Sequence, residues 1–106
     1  VRVVSVRLDY WPATARDAGE VLAHGELAYV SRYALGRDYH RLMRNRLQRL
    51  ADRIEARIGA FGYRVFVDTG PVMEKPLARN AGLGWIGKHT NLIHPKGGSW
   101  FFLGEL

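Results

Sequence analysis

Residues 38–59, DYHRLMRNRLQRLADRIEARIG, decide how the rest of the chain is read. Tyr39, Leu42, Met43, Leu47, Leu50, Ala51, Ile54 and Ile58 fall within half a circumference at about 100° per residue, which predicts a helix with one apolar face. Asp38 suits the N-cap, where a short carboxylate accepts from free backbone N–H groups, and Gly59 suits the C-terminal stop. Arg46, Arg49, Arg53 and Arg57 form a ridge along one edge of that face. Such a ridge can meet RNA phosphates, or it can be a solvated flank partly paired with Asp52 and Glu55. Ahead of the helix, Arg37, Asp38, Tyr39 and His40 crowd an end that attracts anions; the plain alternative is that Asp38 only caps.

Working outward toward the start, Val1 to Leu8 alternates as a half-buried strand and stops at Asp9, Tyr10, Trp11 and Pro12, with Asp9 read as a turn residue. Residues 13–24 have no clear period and read as loop with a helical turn. Residues 25–34 carry Leu27, Tyr29 and Tyr33 and read as a short second strand. Arg32 beside Tyr33 is a candidate contact for a flat ligand.

After the helix comes RVFVDTGPVMEKPLARNAGLGWIGK, residues 64–88. A short apolar run, Val65 to Val67, carries Asp68 to a Thr-Gly-Pro turn at the rim of a sheet. Alternation puts Asp68 on the face of Phe66, where apolar neighbours disfavour its charge and suit it to general-acid work; an ordinary strand-end turn is the rival reading. Glu74 and Lys75 follow, and Pro76 with Gly82 brackets a short helix over Leu77 to Ala81. Gly82, Gly84 and Gly87 match a dinucleotide-binding spacing, but they follow a helix and precede a strand, the reverse of what that motif needs. They read instead as places where backbone approaches something large and flat, with Trp85 and Lys88 beside it. His94 to Gly98 is a turn joining residues 91–93 to 99–103 in a terminal hairpin. His24, His40, His89 and His94 show no metal-ligand spacing.

Composition narrows the class. In 106 residues, 47% are hydrophobic and 25% charged, which describes one globular domain and excludes disordered and collagen-like chains. No apolar run approaches the ~20 residues of a membrane span, and no leader is visible. The absence of cysteine removes any disulfide or thiolate site from these residues. A net charge of +6, with 13 arginines against 3 lysines, suits a polyanionic partner and equally a merely solvated basic surface. An opening inside an alternating apolar run, and a close straight after Trp100 to Leu103, read as the ends of a segment of a longer protein.

Four ordered motifs, GRDYH at 36–40, FVDTGPVMEKPLA at 66–78, AGLGWIGKHTNLI at 81–93 and GSWFFLGEL at 98–106, together resemble the amino-terminal half of epoxyqueuosine reductases, over nearly the whole chain. The resemblance implies a cytoplasmic α/β reductase in which an antiparallel or mixed sheet is backed by the long helix. It also implies a partial cobalamin-binding catalytic domain over residues 1–106. The cofactors implied are cobalamin and two [4Fe-4S] clusters, whose ligands belong to a downstream domain, so these residues alone are expected to be inactive. The implied partner is tRNA carrying epoxyqueuosine, with an electron donor left open and no membrane. Asp68 is the implied proton donor; Glu74, Lys75, Lys88 and Arg32 join it as cofactor contacts, and Asp38, Tyr39, His40 and Trp85 are substrate contacts. Where this chain has Lys75 the family is expected to show arginine more often, so a bidentate grip would be lost. Two rivals are a basic tRNA-binding module without catalysis and a related cobalamin and iron–sulfur reductase acting on a small molecule.

Overall fold

The first and last strands of the chain find each other. In a computed structural model that describes residues 1–106, β1 (Ser5–Asp9) pairs antiparallel with β4 (Phe101–Glu105), in register from Ser5 opposite Glu105 to Asp9 opposite Phe101. Reciprocal bonds between Val4 and Leu106, at 2.8 and 3.0 Å, continue the ladder past its end. On the other edge of β4, Phe66 exchanges bonds with Glu105 at 2.9 and 3.0 Å. The run 65–67 is thus a one-residue bridge, because Asp68 at once turns away with φ of +54°.

Helix α2 (Tyr39–Ile58) backs one face of this ribbon as expected, with Asp38 accepting from the His40 backbone N–H and Gly59 closing the end at φ of +88°. Its Met43 and Leu47 bury against Val67, surrounded by Val6, Leu8, Phe102 and Leu106. Gly104 sits directly beneath: a Cβ there would stand 2.9 Å from the ends of both Leu47 and Met43, so its absence lets the helix seat closely. The opposite face carries α3 (Glu74–Asn80) and a hairpin of β2 (Trp85–Ile86) with β3 (Leu92–Ile93), which enclose Ala78, Leu92, Phe101 and Leu103. The α/β class and the helix-backed antiparallel sheet stand.

Four local expectations are corrected. Residues 25–34 form no strand: they are exposed, apart from partly buried Arg32, and contain a 3-10 turn over Arg32–Ala34. Their aromatic and β-branched residues pair with no strand, and strand propensity has no effect without a partner. A third helix, α1 (Ala18–Ala23), forms where only a turn was expected, with Asp17 accepting from the Glu20 N–H at 3.1 Å. Helix α3 starts at Glu74, ahead of Pro76, which occupies the first turn, where its missing N–H leaves no gap.

The terminal hairpin is also replaced. Only His94 and Gly98 bridge, while β3 pairs backward with β2 and β4 leaves for β1. Gly84 permits the first pairing, since a Cβ there would lie 2.2 Å from the Ile93 carbonyl.

The radius of gyration, 16.3 Å, exceeds the ~13 Å of a compact domain of this length. Residues 22–31 are exposed throughout. No helix is long and apolar enough to cross a membrane.

Candidate active site

At the end of the ribbon where α2 and α3 begin lies a cavity of about 290 Å³, lined by Tyr39, Asp68, Glu74, Lys75, Asn91 and Ser99 on an apolar base of Phe101, Phe102 and Leu103. Asp68 reaches it through an unusual backbone. The Thr69 N–H donates to the Val67 carbonyl at 2.6 Å, two residues back, around an aspartate held at φ of +54°. A non-glycine residue in this tight turn is strained by about 1–3 kcal/mol, a cost that folds tolerate most often where a side chain must be aimed.

Helix α2 supplies the aspartate's partner. The His40 ring lies between two carboxylates, Nδ1 at 2.9 Å from Asp38 Oδ1 and Nε2 at 3.2 Å from Asp68 Oδ2. Both contacts are hydrogen bonds only if both ring nitrogens carry protons, so the geometry favours the imidazolium. The Asp38 bond, then the Asp68 bond, accordingly raises the His40 pKa, and the same His40 contact lowers that of Asp38. Tyr39 stacks on Phe102 with ring centroids 4.0 Å apart and planes 2° from parallel. Burial, reinforced by the Asp68 carboxylate, pushes its phenol up to about 12.

The acidic groups behind Asp68 are buried more deeply than Asp68 itself, whose side chain is 51% exposed. Burial raises the Glu74 pKa, and the Asp68 charge adds to it. Glu105 is 1% exposed, neither of its carboxylate oxygens has a hydrogen-bond partner, and burial followed by the Glu74 charge pushes its pKa up to about 7. The apolar surroundings expected of Asp68 therefore belong to Glu105. A single carboxylate in register with Phe101 and Leu103 on an otherwise apolar strand was the signal for it.

Because the folded-state value lies above the ordinary 4.5, the folded chain binds more protons than the unfolded one between the two values. Stability from Glu105 is complete below that range and is lost as pH rises through about 7. Full-length protein should melt progressively lower as pH is raised across this window, and Glu105→Gln should flatten the slope. A slope identical in both proteins would remove Glu105 as its source.

Of the residues expected to bind or react, Asp68, Glu74, Lys75 and Tyr39 line one cavity, and His40 and Asp38 are joined to it by hydrogen bonds. Lys75 Nζ donates to Asn91 Oδ1 at 3.3 Å. Arg32 stands apart. Its guanidinium lies 5.5 and 5.1 Å from the ring centroids of Trp11 and Tyr29, and it donates to the Arg16 carbonyl. It lines a neighbouring cavity of about 300 Å³ that shares Tyr10, Tyr39 and Phe102 with the first. Trp85, half exposed on β2, and Lys88, exposed at the β2–β3 turn, line neither cavity. Tyr10, Asn91 and Ser99 line the Asp68 cavity without having been singled out in the sequence, since nothing local marks a residue brought in by distant pairing.

A family model described as epoxyqueuosine reductase QueG, DUF1730, matches residues 1–69. The epoxyqueuosine reductase of Xanthomonas campestris pv. campestris is 66% identical over all 106 residues, and that of Escherichia coli K12 is 53% identical. The chain spans only 30% and 28% of the length of these two curated relatives. The structure of epoxyqueuosine reductase from Streptococcus thermophilus superposes with a TM-score of 0.80 at 30% identity, covering 97% of this chain and 27% of that one. A crystal structure of epoxyqueuosine reductase with a tRNA-Tyr epoxyqueuosine-modified stem loop matches at TM-score 0.71 and 26% identity, with the same coverage. The helix-backed ribbon, the motifs around Asp68 and identity running the length of the chain lead to one family, and the chain belongs to the epoxyqueuosine reductases.

Proposed function

We propose that the full-length protein reduces epoxyqueuosine to queuosine at the wobble position of tRNA in the cytoplasm, with Asp68 donating a proton to the departing epoxide oxygen. The observation that carries this reading is the strained turn that presents Asp68 at the cavity with His40 at its back. In that arrangement the carboxyl meets the substrate, and the imidazolium holds its orientation.

Cobalamin and two [4Fe-4S] clusters are the cofactors of this proposal. A cavity of about 290 Å³ cannot enclose a corrin, but its donor set fits one edge of such a group: Lys75, Asn91 and Ser99 beside the apolar base. Those residues would hold the cofactor, with Glu74 flanking them. Bound there, it would supply the reducing electrons. The clusters' thiolates come from outside these residues, which contain no cysteine. Tyr39, stacked between Phe102 and His40 with ring centroids 4.0 Å away on each side, fixes the aromatic side of the cavity next to Asp68.

The arginine ridge supplies the tRNA contact. Arg46, Arg49, Arg53 and Arg57 are all exposed, and none makes an ion pair, including with Asp52 or Glu55. They extend about 16 Å along α2, leading away from the site. Replacing the four with Gln should weaken tRNA binding and lower the slope of log affinity against log salt by about 0.7 to 0.9 for each phosphate that is no longer neutralised. An unaltered slope would return them to a solvated flank.

The reaction itself is tested with full-length protein, made without oxygen and supplied with cobalamin, by mass spectrometry of nucleosides from epoxyqueuosine-containing tRNA. Conversion to queuosine supports the proposal. Binding of the tRNA without conversion, with cofactors loaded, would overturn it in favour of a tRNA-binding role.

A further inference from the structure

The cavity of about 300 Å³ beside the Asp68 site has a chemistry of its own. Three arginines line it: Arg32 from the 3-10 turn, Arg37 just ahead of α2, and Arg46 about two turns into that helix. Its one acidic side chain is Asp9, which has the Arg7 Nε at 3.6 Å. Arg32 is held between the rings of Trp11 and Tyr29 and donates to the Arg16 carbonyl, contacts that fix the guanidinium without cancelling its charge.

Aromatic rings complete the wall. Tyr39 has Phe102 on one face and His40 on the other, and Tyr10 packs on Phe102 with centroids 4.6 Å apart. Tyr33 stands T-shaped to Tyr39 at 6.4 Å and is 54% exposed, so it is the lining ring with surface left for a flat group.

The position of the cavity matters as much as its lining. It shares Tyr10, Tyr39 and Phe102 with the Asp68 cavity, whereas Lys75, Asn91 and Ser99, the residues proposed to hold the cofactor, line only the latter. Arg46, in its wall, is also the first arginine of the ridge along α2. The arginine cavity thus joins the reacting site to the ridge. A polynucleotide threaded past Asp68 needs what is found there: cations for a phosphodiester and an aromatic surface for an unstacked base.

Resting on the tRNA substrate proposed above, we propose that this cavity is a subsite for the nucleotide next to epoxyqueuosine in the RNA chain. Arg37 and Arg46 meet its phosphate, Tyr33 stacks on its base, and Arg32 adds positive potential from a fixed place in the wall. The modified nucleoside is then recognised together with its neighbour, which selects an RNA-borne substrate over the free nucleoside.

The test is a pair of double-mutant cycles, read as equilibrium binding of an epoxyqueuosine-containing anticodon stem loop to full-length, cobalamin-loaded protein without reductant. In the first, Tyr33→Ala is combined with loops lacking the base on the 5′ or the 3′ side of epoxyqueuosine. The substitution should weaken binding of the intact loop about tenfold, and by less than about twofold once the base on one of those sides is gone. In the second, Arg37→Gln is combined with an uncharged methylphosphonate linkage on either side. That substitution should lower the slope of log affinity against log salt by about 0.7, with no further loss when the linkage on one side is already neutral.

Coupling in either cycle supports the subsite, because general damage to the fold weakens every loop by the same factor. Losses that simply multiply in both cycles, or no losses at all, would overturn it. Loss of cobalamin from these variants with RNA affinity unchanged would give the cavity to the cofactor and overturn it as well. Failure of the unsubstituted protein to convert a loop that it binds would instead be a failure of the proposed reaction, and the cycles would still decide where the neighbouring nucleotide sits.

Discussion

Asp68→Asn in the full-length protein should leave the fold and tRNA binding intact while slowing epoxyqueuosine conversion by about 10²–10⁴-fold, the usual contribution of a positioned general acid. Asparagine keeps the size and tolerates the left-handed turn that Asp68 adopts at φ of +54°, so the strained backbone is preserved. Its amide can still meet His40 across the 3.2 Å gap, but it has no acidic proton for a leaving oxygen. Single-turnover conversion measured with saturating tRNA isolates that loss from any change in affinity. A variant that turns over like the unsubstituted protein would take Asp68 out of the mechanism. Asp68→Gly supplies a contrast: it relieves the φ strain and should be neutral or stabilising by about 1 kcal/mol, yet equally slow.

Leu47→Ala should be the most damaging single change to stability, at about 2–5 kcal/mol, against roughly 5–15 kcal/mol holding a typical domain together. Leu47 is 2% exposed and meets Met43 and Val67 in a cluster of only three buried residues. With so little else buried, the hole has few neighbours able to collapse into it. Leu42, on the same helix but 38% exposed, should tolerate the same truncation at about 1 kcal/mol or less. Chemical denaturation of the two variants side by side checks this; equal midpoints would mean that the cluster under α2 is not what holds the ribbon.

Much of this was legible in advance because it is local. The apolar period of residues 39–58, the cap at Asp38 and the stop at Gly59 each depend on residues a few positions apart, and helix α2 formed with those bounds. The refusal of a dinucleotide site at Gly82 to Gly87 rested on the order of neighbouring elements, and the observed order, α3 and then β2 and β3, agrees. Residues 25–34 misled for the complementary reason: Leu27, Tyr29 and Tyr33 have the composition of a strand, but a strand is a pairing, and they make none. The expected hairpin failed similarly, since turn chemistry at His94 to Gly98 was outweighed by the pairing of β4 with β1.

The sequence by itself determined the long helix and its ends, the turn that carries Asp68, and the set of motifs that mark the family. These follow from backbone propensity, capping and spacing, which act over a few residues. Only the tertiary structure decided that Ser5 would lie opposite Glu105, that His40 would bridge Asp38 to Asp68, and that the lone carboxylate of β4 would be buried behind the cavity. Those outcomes depend on which distant surfaces exclude water together. A carboxylate's proton affinity is set by the neighbours that remain once that water has gone.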